Sequence, residues 1–266
     1  SLVRKARDPD APVRRAAAVA LGRIGGDAVA PLSALLDDDD RDVRRAAADV
    51  LAGMGDQGVH VLLQKLKTSR DQGLQAVICR SLGSAEITNA VETLEGILKR
   101  EQTSLLGVAA AGALAHMGHA LGTERLREAL ESEDDEIRGE AADYLGWIGG
   151  ETALALVSKV DDPDERVRAA ATRALQGLSG TDVPLLLTYA QHKESSVRLA
   201  VATALREAPG NPDALDALLQ LLQDEHEDVC QAAADSLIVF GDSALDRLSG
   251  QAISDDADAR YAACWA

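Results

Sequence analysis

Apolar residues recur along the chain at two spacings. Within short segments they return every three or four residues, which is the period of an amphipathic helix rather than a strand. The segment Val13–Ile24 has an apolar stripe formed by Val13, Ala17, Ala20, Leu21 and Ile24. On a longer scale, one leucine returns every 30 to 32 residues, at Leu21, Leu51, Leu82, Leu114, Leu145, Leu175, Leu205 and Leu237. A fixed period in this range is typical of arrays of repeated helical units.

Each repeat is predicted to contain two helices. The second carries the leucine above, and the first carries another leucine row: Leu32, Leu62, Leu94, Leu126, Leu156, Leu186, Leu218 and Leu248. Glycines that can adopt the left-handed conformation follow several second helices, at Gly25, Gly55, Gly118, Gly149 and Gly241. The pattern predicts an all-α solenoid of eight to nine hairpins, forming a single array over residues 1–266. The ninth copy, from Ala259, is partial, and neither end has a polar capping repeat, so we expect a fragment of a longer protein.

An acid and an arginine recur four residues apart where the second helix begins. The acid can cap the helix and favour the positive end of its dipole. In copies four and eight both residues are replaced, by Thr103 with Gly107 and by His226 with Cys230. This joint loss indicates that the acid and arginine interact, within one turn or across to the adjacent repeat. The pairs are Asp10 and Arg14, Asp40 and Arg44, Asp134 and Arg138, Asp164 and Arg168, and Glu194 and Arg198.

The string D-x-x-V-R-x-A-A-A-x-A-L-G-x-I-G resembles the HEAT-like repeat of the phycobilin lyases. The copies that match it best are Asp10–Gly25, Asp40–Gly55, Asp134–Gly149 and Asp164–Gly177. The resemblance implies that the second helices line a concave face, which in such proteins usually binds a partner protein. Deoxyhypusine hydroxylase resembles this repeat too, but it carries His-Glu pairs for a di-iron centre after the V-R dipeptide. The matching positions here contain no histidine, so we expect no metal and no cofactor.

Composition narrows the range of partners. The net charge is −17, from 44 acids and 27 bases, which disfavours nucleic acid and anionic membranes as partners. No apolar run is long enough to span a bilayer. The three cysteines, Cys79, Cys230 and Cys264, form no CxxC pair, and the expected compartment is a reducing cytoplasm.

One stripe of the second helices is the candidate partner-binding surface. Near its middle, the small residues of Gly107–Ala113 lie one repeat before Tyr144 and Trp147, which predicts a shallow floor beside an aromatic rim. The alternative is that the small residues make room for the two rings in ordinary packing. The candidate residues are Arg45, Asp49, Arg80, His116, Glu140, Asp143, Tyr144, Trp147, Arg173 and Glu207.

No catalytic constellation accompanies the repeat. The leading hypothesis is therefore a non-enzymatic scaffold that binds a protein or peptide on the concave face. A phycobilin-lyase-like protein that handles a tetrapyrrole is one alternative, and a structural spacer domain is the other.

Overall fold

The computed structural model describes residues 2–149, 154–178 and 182–252, and within these ranges the chain forms helices joined by turns, without strands. The predicted all-α repeat fold is thereby confirmed. The contacts divide the chain into two compact units, Ser1–Ile148 and Gly149–Ala266, which we describe separately. The prediction of a single array stays a prediction, and the partial ninth copy lies outside the described residues.

The first unit consists of alternating first and second helices, here called A and B helices. Short 3₁₀ turns at Gly26–Ala28 and Thr88–Ala90 precede two of the A helices. The A helices are α1 (Leu2–Lys5), α3 (Val29–Leu35), α5 (Gly55–Thr68), α7 (Val91–Arg100) and α9 (Ala120–Ala129), and the B helices are α2 (Ala11–Gly22), α4 (Arg41–Ala52), α6 (Gln72–Ser84), α8 (Leu105–His116) and α10 (Asp135–Ile148). Each B helix packs against the B helix of the next repeat.

The second unit repeats the same hairpin of an A helix and a B helix. Its B helices again pack on one another in chain order, and a 3₁₀ turn, Ile238–Phe240, follows the last of them. The A helices are α11 (Leu154–Val157), α13 (Val183–Leu187), α15 (Pro212–Leu221) and α17 (Asp242–Ala252), and the B helices are α12 (Glu165–Gln176), α14 (Ser195–Leu205) and α16 (Glu227–Leu237).

The two predicted leucine rows form the core of the repeats. In the B helices, every leucine of the predicted row, from Leu21 to Leu237, is at most 3% exposed. In the A helices, each leucine of the predicted row from Leu32 to Leu218 is fully buried, whereas Leu248 is half-buried. Burial of a leucine stabilises the folded chain by roughly 1.5–3 kcal/mol. The period read from the sequence is therefore the period of the core.

The glycine turns also agree with the sequence. Gly25, Gly55, Gly118, Gly149 and Gly241 all have positive φ, between 55° and 91°. Other residues rarely adopt this conformation because their Cβ atom collides with the backbone. Each of these five turns lies between a B helix and the A helix that follows it in the chain.

The predicted stripe of the first B helix is partly wrong. Ala17 and Leu21 are buried, but Val13 and Ala20 are half-exposed and Ile24 is 57% exposed. Helix α2 ends at Gly22, so Ile24 lies in the following turn rather than on the helix face that packs against the core.

Candidate partner-binding face on the B helices

Four side chains from three successive B helices meet in the first unit. His116 of α8 stacks on Trp147 of α10, with ring centroids 4.1 Å apart and planes within 6°. The guanidinium of Arg80, on α6, lies 5.0 Å from the centre of the Trp147 ring and 5.3 Å from that of Tyr144. Tyr144 meets Trp147 edge to face at 6.1 Å. These contacts combine aromatic stacking with cation–π attraction, which becomes stronger when the cation is partly desolvated.

The cluster has one buried member and three half-exposed ones. Tyr144 is only 2% exposed, whereas Arg80, His116 and Trp147 are half-buried. Burial, assisted by the nearby charge of Glu140, raises the pKa of the Tyr144 phenol well above its usual value. Tyr144 was predicted to be a rim residue that contacts a partner, and this part of the prediction is wrong. Its ring faces the preceding B helix instead of solvent.

Gly112 explains how the Tyr144 ring fits against α8. A Cβ atom at Gly112 would lie 2.2 Å from the Tyr144 ring, which is far inside van der Waals contact. Val108 and Gly112, predicted to be an open floor, are both buried. The small residues of α8 therefore make room for Tyr144, which is the packing alternative considered in the sequence analysis, while Trp147 and His116 remain at the surface.

Other predicted face residues lie on neighbouring helices of the same unit. Arg45 and Asp49 of α4 are exposed and lie 3.8 Å apart, and Asp49 accepts a hydrogen bond from Ser81 Oγ at 2.6 Å. Glu140 and Asp143 are half-buried on α10. Arg173 is exposed on α12 and Glu207 is exposed in the turn after α14, and both belong to the second unit.

Arg41 is a face residue that the sequence analysis missed. It precedes Arg45 by one helical turn, so an i, i+4 search from Arg45 would have found it. Its charge acts on the Tyr144 phenol together with that of Arg80, lowering a pKa that burial and Glu140 raise. Arg41 and Arg80 thus both lie near Tyr144. We call the exposed stripe of α2, α4, α6, α8 and α10 the B-helix face.

The acid of the predicted acid–arginine pairs acts as a helix cap. Asp40 and Asp164 each accept hydrogen bonds from two backbone N–H groups of the first turn, and Asp134 accepts from Glu136 and Ile137. Asp10 and Glu194 make no such side-chain bond. In copy four the cap has moved one residue, to Ser104, whose Oγ accepts from Gly107 N.

The arginine closes the turn that precedes its own helix. Its Nη1 donates to the carbonyls six and five residues earlier, as Arg14 does to Asp8 and Pro9. Cys230 occupies the arginine position in copy eight, and its Sγ donates to the corresponding carbonyl, that of Asp224, at 3.0 Å. The same arginine bonds recur at Arg44, Arg138, Arg168 and Arg198.

Two arginines also bind an acid of the next repeat. Arg14 donates Nε and Nη2 to Asp38, both at 2.7 Å, and Arg198 binds Asp224 in the same bidentate way. These acids stand two residues before the predicted position. Hydrogen bonding to Arg14 lowers the pKa of Asp38 below its usual value. At Asp224 burial is the largest single influence and raises the pKa, but the hydrogen bonds from Arg198 and from His226 N, together with the nearby positive charges, outweigh it, so the pKa is lowered.

The surface has other features that bear on function. An open cavity of about 620 Å³ lies against α2, where Arg15, Val19 and Arg23 line it together with Asp40 and Asp42. Across the described ranges, no three His, Cys, Asp or Glu side chains are grouped as metal ligands would be. None of the described helices has the length and apolar character needed to cross a membrane.

The profile for HEAT repeats matches residues 1–60, 105–176, 155–238 and 183–266, which together make up well over half of the chain. This chain belongs to the HEAT repeat family. The resemblance read from the sequence is thereby confirmed. None of the curated proteins matches the chain significantly.

Several solved structures share the fold. YibA of E. coli is 18% identical with a TM-score of 0.54, and the alignment covers 91% of each chain. The CpcE–CpcF complex of phycocyanin lyase from a Nostoc species is 22% identical with a TM-score of 0.44, covering 91% of this chain and 93% of that one. Human deoxyhypusine hydroxylase is 23% identical with a TM-score of 0.40, covering 90% and 94%. At 18% identity the similarity to YibA shows the fold alone.

Proposed function

We propose that this protein is an interaction scaffold and that the B-helix face of its first unit binds a protein or peptide. The observation that carries the proposal is the cluster of Arg80, His116 and Trp147. Tryptophan and arginine are enriched among the residues that dominate binding energy at protein interfaces. All three side chains are half-exposed, so a partner can still bury a substantial part of their surface.

The packing of the cluster favours binding. His116 and Arg80 both contact the indole ring, and Tyr144 supports it from the buried side. A side chain that is already held in place loses less conformational entropy when a partner binds than a freely rotating one does. Trp147 is therefore the expected anchor, with Tyr144 as a support that does not touch the partner.

Selection from a random peptide library would test this proposal. We expect selected ligands to lose at least about tenfold in affinity for Trp147→Ala, because alanine removes the anchor ring. Arg173→Ala, on the equivalent stripe of α12, is the matched control and should bind like the wild type. Ligands that bind Trp147→Ala as tightly as the wild type would contradict the proposed face. Failure to enrich any ligand with correctly folded protein would contradict a peptide-binding role.

The tetrapyrrole-handling alternative has less support in this geometry. It needs an open groove over repeats four and five, but Tyr144 fills the space above Gly112. We expect no thermal stabilisation of the protein by a panel of bilins. A saturable shift of several degrees that disappears in Trp147→Ala would favour the alternative over the scaffold.

A further inference from the structure

Arginines are concentrated at one end of the B-helix face, where they are interspersed with the acids Asp40, Asp42 and Asp49, although the whole chain is strongly acidic. The first three helices of the face present exposed or half-exposed arginines: Arg15 and Arg23 at α2, Arg41 and Arg45 on α4, and Arg80 on α6. The acids Glu140 and Asp143 lie on α10, beyond the aromatic cluster. In a protein that is acidic overall, such a local group of arginines forms a surface that can attract and bind anions.

The guanidinium N–H donors of several of these arginines have no hydrogen-bond partner among the described residues. Within the described part of the chain, neither a hydrogen bond nor an ion pair engages the guanidinium groups of Arg15, Arg41 or Arg80. Arg45 has only the 3.8 Å contact with Asp49. Arg80 is in addition held against two rings, which leaves its planar set of N–H donors available to a carboxylate.

The spacing of the helices restricts the shape of the ligand. Packed helices lie about 8–10 Å apart, and α2, α4 and α6 are successive neighbours. A polyproline II helix has three residues per turn and rises about 3.1 Å per residue, so every third side chain points the same way at intervals of about 9 Å. In a β-strand, by contrast, every third side chain falls on the opposite side.

We propose that the B-helix face over α2, α4 and α6 binds an extended acidic segment of a partner protein, in polyproline II conformation, with Glu or Asp at every third residue. The carboxylates pair in turn with Arg15, with Arg41 or Arg45, and with Arg80. This inference rests on the proposed function and specifies the chemistry of the partner. Beyond Arg80 the bound segment reaches Trp147, which contacts its apolar residues.

The overall charge disfavours a nucleic acid on the same arginines. A duplex or long single strand spreads its phosphates over a wide area and would meet the acidic turns, such as Asp37–Asp40, as well as the arginines. A short segment stays near the face, and charges farther than about 8 Å are largely screened at physiological salt. Arg80 stands nine residues after Asp71, or about 13 Å along the helix axis, so the acid of its own turn is largely screened from it. Arg15 and Arg41 lie nearer to Asp40 and Asp42.

A designed peptide of four Glu-Pro-Pro units, labelled for fluorescence anisotropy, tests the proposal directly. Its glutamates recur at every third residue of a polyproline II helix. We expect saturable binding that weakens as salt is raised, with at least about tenfold loss in Arg80→Gln and in Arg45→Gln. Arg173→Gln, at the position of α12 equivalent to Arg80, should bind like the wild type. Circular dichroism checks that each variant is folded.

Matched peptides test the spacing and the charge. A peptide with four consecutive glutamates followed by eight prolines has the same composition, and four Gln-Pro-Pro units keep the conformation without the charge. Equal binding of either one, or unchanged binding by both arginine variants, would overturn the inference. Stronger binding of a single-stranded oligonucleotide that depends on Arg45 and Arg80 would overturn it in favour of nucleic acid. Library ligands that need Trp147 but lack spaced acids would leave the proposed function standing and remove this inference alone.

Discussion

Two junctions between successive B helices show how one repeat can be stabilised in two ways. Where α2 meets α4, Arg14 binds Asp38 near the start of the helices, and Val50 packs on Gly22. Where α8 meets α10, copy four has no arginine at the corresponding position, and Tyr144 packs on Gly112. The first junction combines a charged turn with small apolar contacts, whereas the second relies on the burial of a large ring.

The acid and arginine are both absent from copy four because the turn before α8 has a different construction. A Cβ atom at Gly107 would lie 1.7 Å from the carbonyl oxygen of Glu101, so the turn backbone occupies the space of the missing side chain. The cap has moved to Ser104 in the same turn. Apolar burial replaces the charged contacts here, since all residues from Leu106 to Ala115 are buried. The turn was rebuilt as a whole, and the apolar α8 supplies the stability of this junction.

The largest effect is expected from restoring the arginine to the rebuilt turn. Gly107→Arg forces its Cβ against backbone and should lower the free energy of unfolding by about 3 kcal/mol or more. Cys230→Arg makes the equivalent change in copy eight, where the carbonyl of Asp224 is already positioned as an acceptor, and should leave stability unchanged or slightly higher. Urea denaturation of both variants checks this pair. Equal destabilisation of the two would contradict our account of the turn.

A smaller loss is expected from crowding the aromatic junction. Gly112→Ala displaces the Tyr144 ring and should cost about 2 kcal/mol, with a change in Trp147 fluorescence when Trp265 is replaced by Phe. Gly96→Ala, in a helix where the added Cβ meets nothing within 4 Å, should instead stabilise the protein by about 0.5–1 kcal/mol. If Gly112→Ala were also stabilising, Tyr144 would not be packed as described.

Breaking the charged junction should have a pH-dependent effect. The pKa of Asp38 is lowered in the folded chain, so its contribution is present above the unfolded value of about 3.9 and is lost as pH falls through the folded value. Asp38→Asn should cost about 1–2 kcal/mol at pH 7 and progressively less below pH 4. Asp37→Asn, which removes an exposed pair with Lys65, is the control and should cost under about 1 kcal/mol. A pH-independent difference for Asp38→Asn would argue against the ion pair.

The smallest effect is a gain from extending the charged junction to the next repeat. Arg44 Nε is buried without a hydrogen-bond partner, and Ser69 stands where Asp38 stands one repeat earlier. Ser69→Asp should provide the missing acceptor and stabilise the protein by about 0.5–1 kcal/mol. Ser69→Asn can keep the bond to the N–H of Asp71 without the charge, so it should show little of this gain. Thermal unfolding at matched ionic strength measures both.

The sequence predicted the period, the core leucines and the glycine turns because each repeats at a fixed register in successive copies. The sequence was less informative about the direction in which individual side chains point. Tyr144 and Trp147 are three residues apart and so differ by only about 60° around α10. That rotation is enough to bury the Tyr144 ring against α8 and leave Trp147 half-exposed. The glycine at position 112, one repeat earlier, was the available signal that a large side chain would be buried there.

The sequence correctly predicted that an acid and an arginine interact, but it indicated the wrong acid. The arginine reaches the acid two residues before the cap, because that side chain lies in the turn and also accepts a backbone hydrogen bond, as Asp38 does from Asp40 N. A comparison of capping positions alone does not reveal this partner. The shift of the cap to Ser104 was missed for a similar reason, since the copies were aligned on their apolar residues.

The bond from each arginine to its own turn has a consequence for how such chains grow and fold. It spans only five or six residues, so a duplicated repeat carries its closing contact with it and needs no matching change elsewhere. Contacts so close in sequence form with little loss of chain entropy, which favours rapid folding from several starting points. Repeat number can therefore change during evolution while each new hairpin remains able to fold.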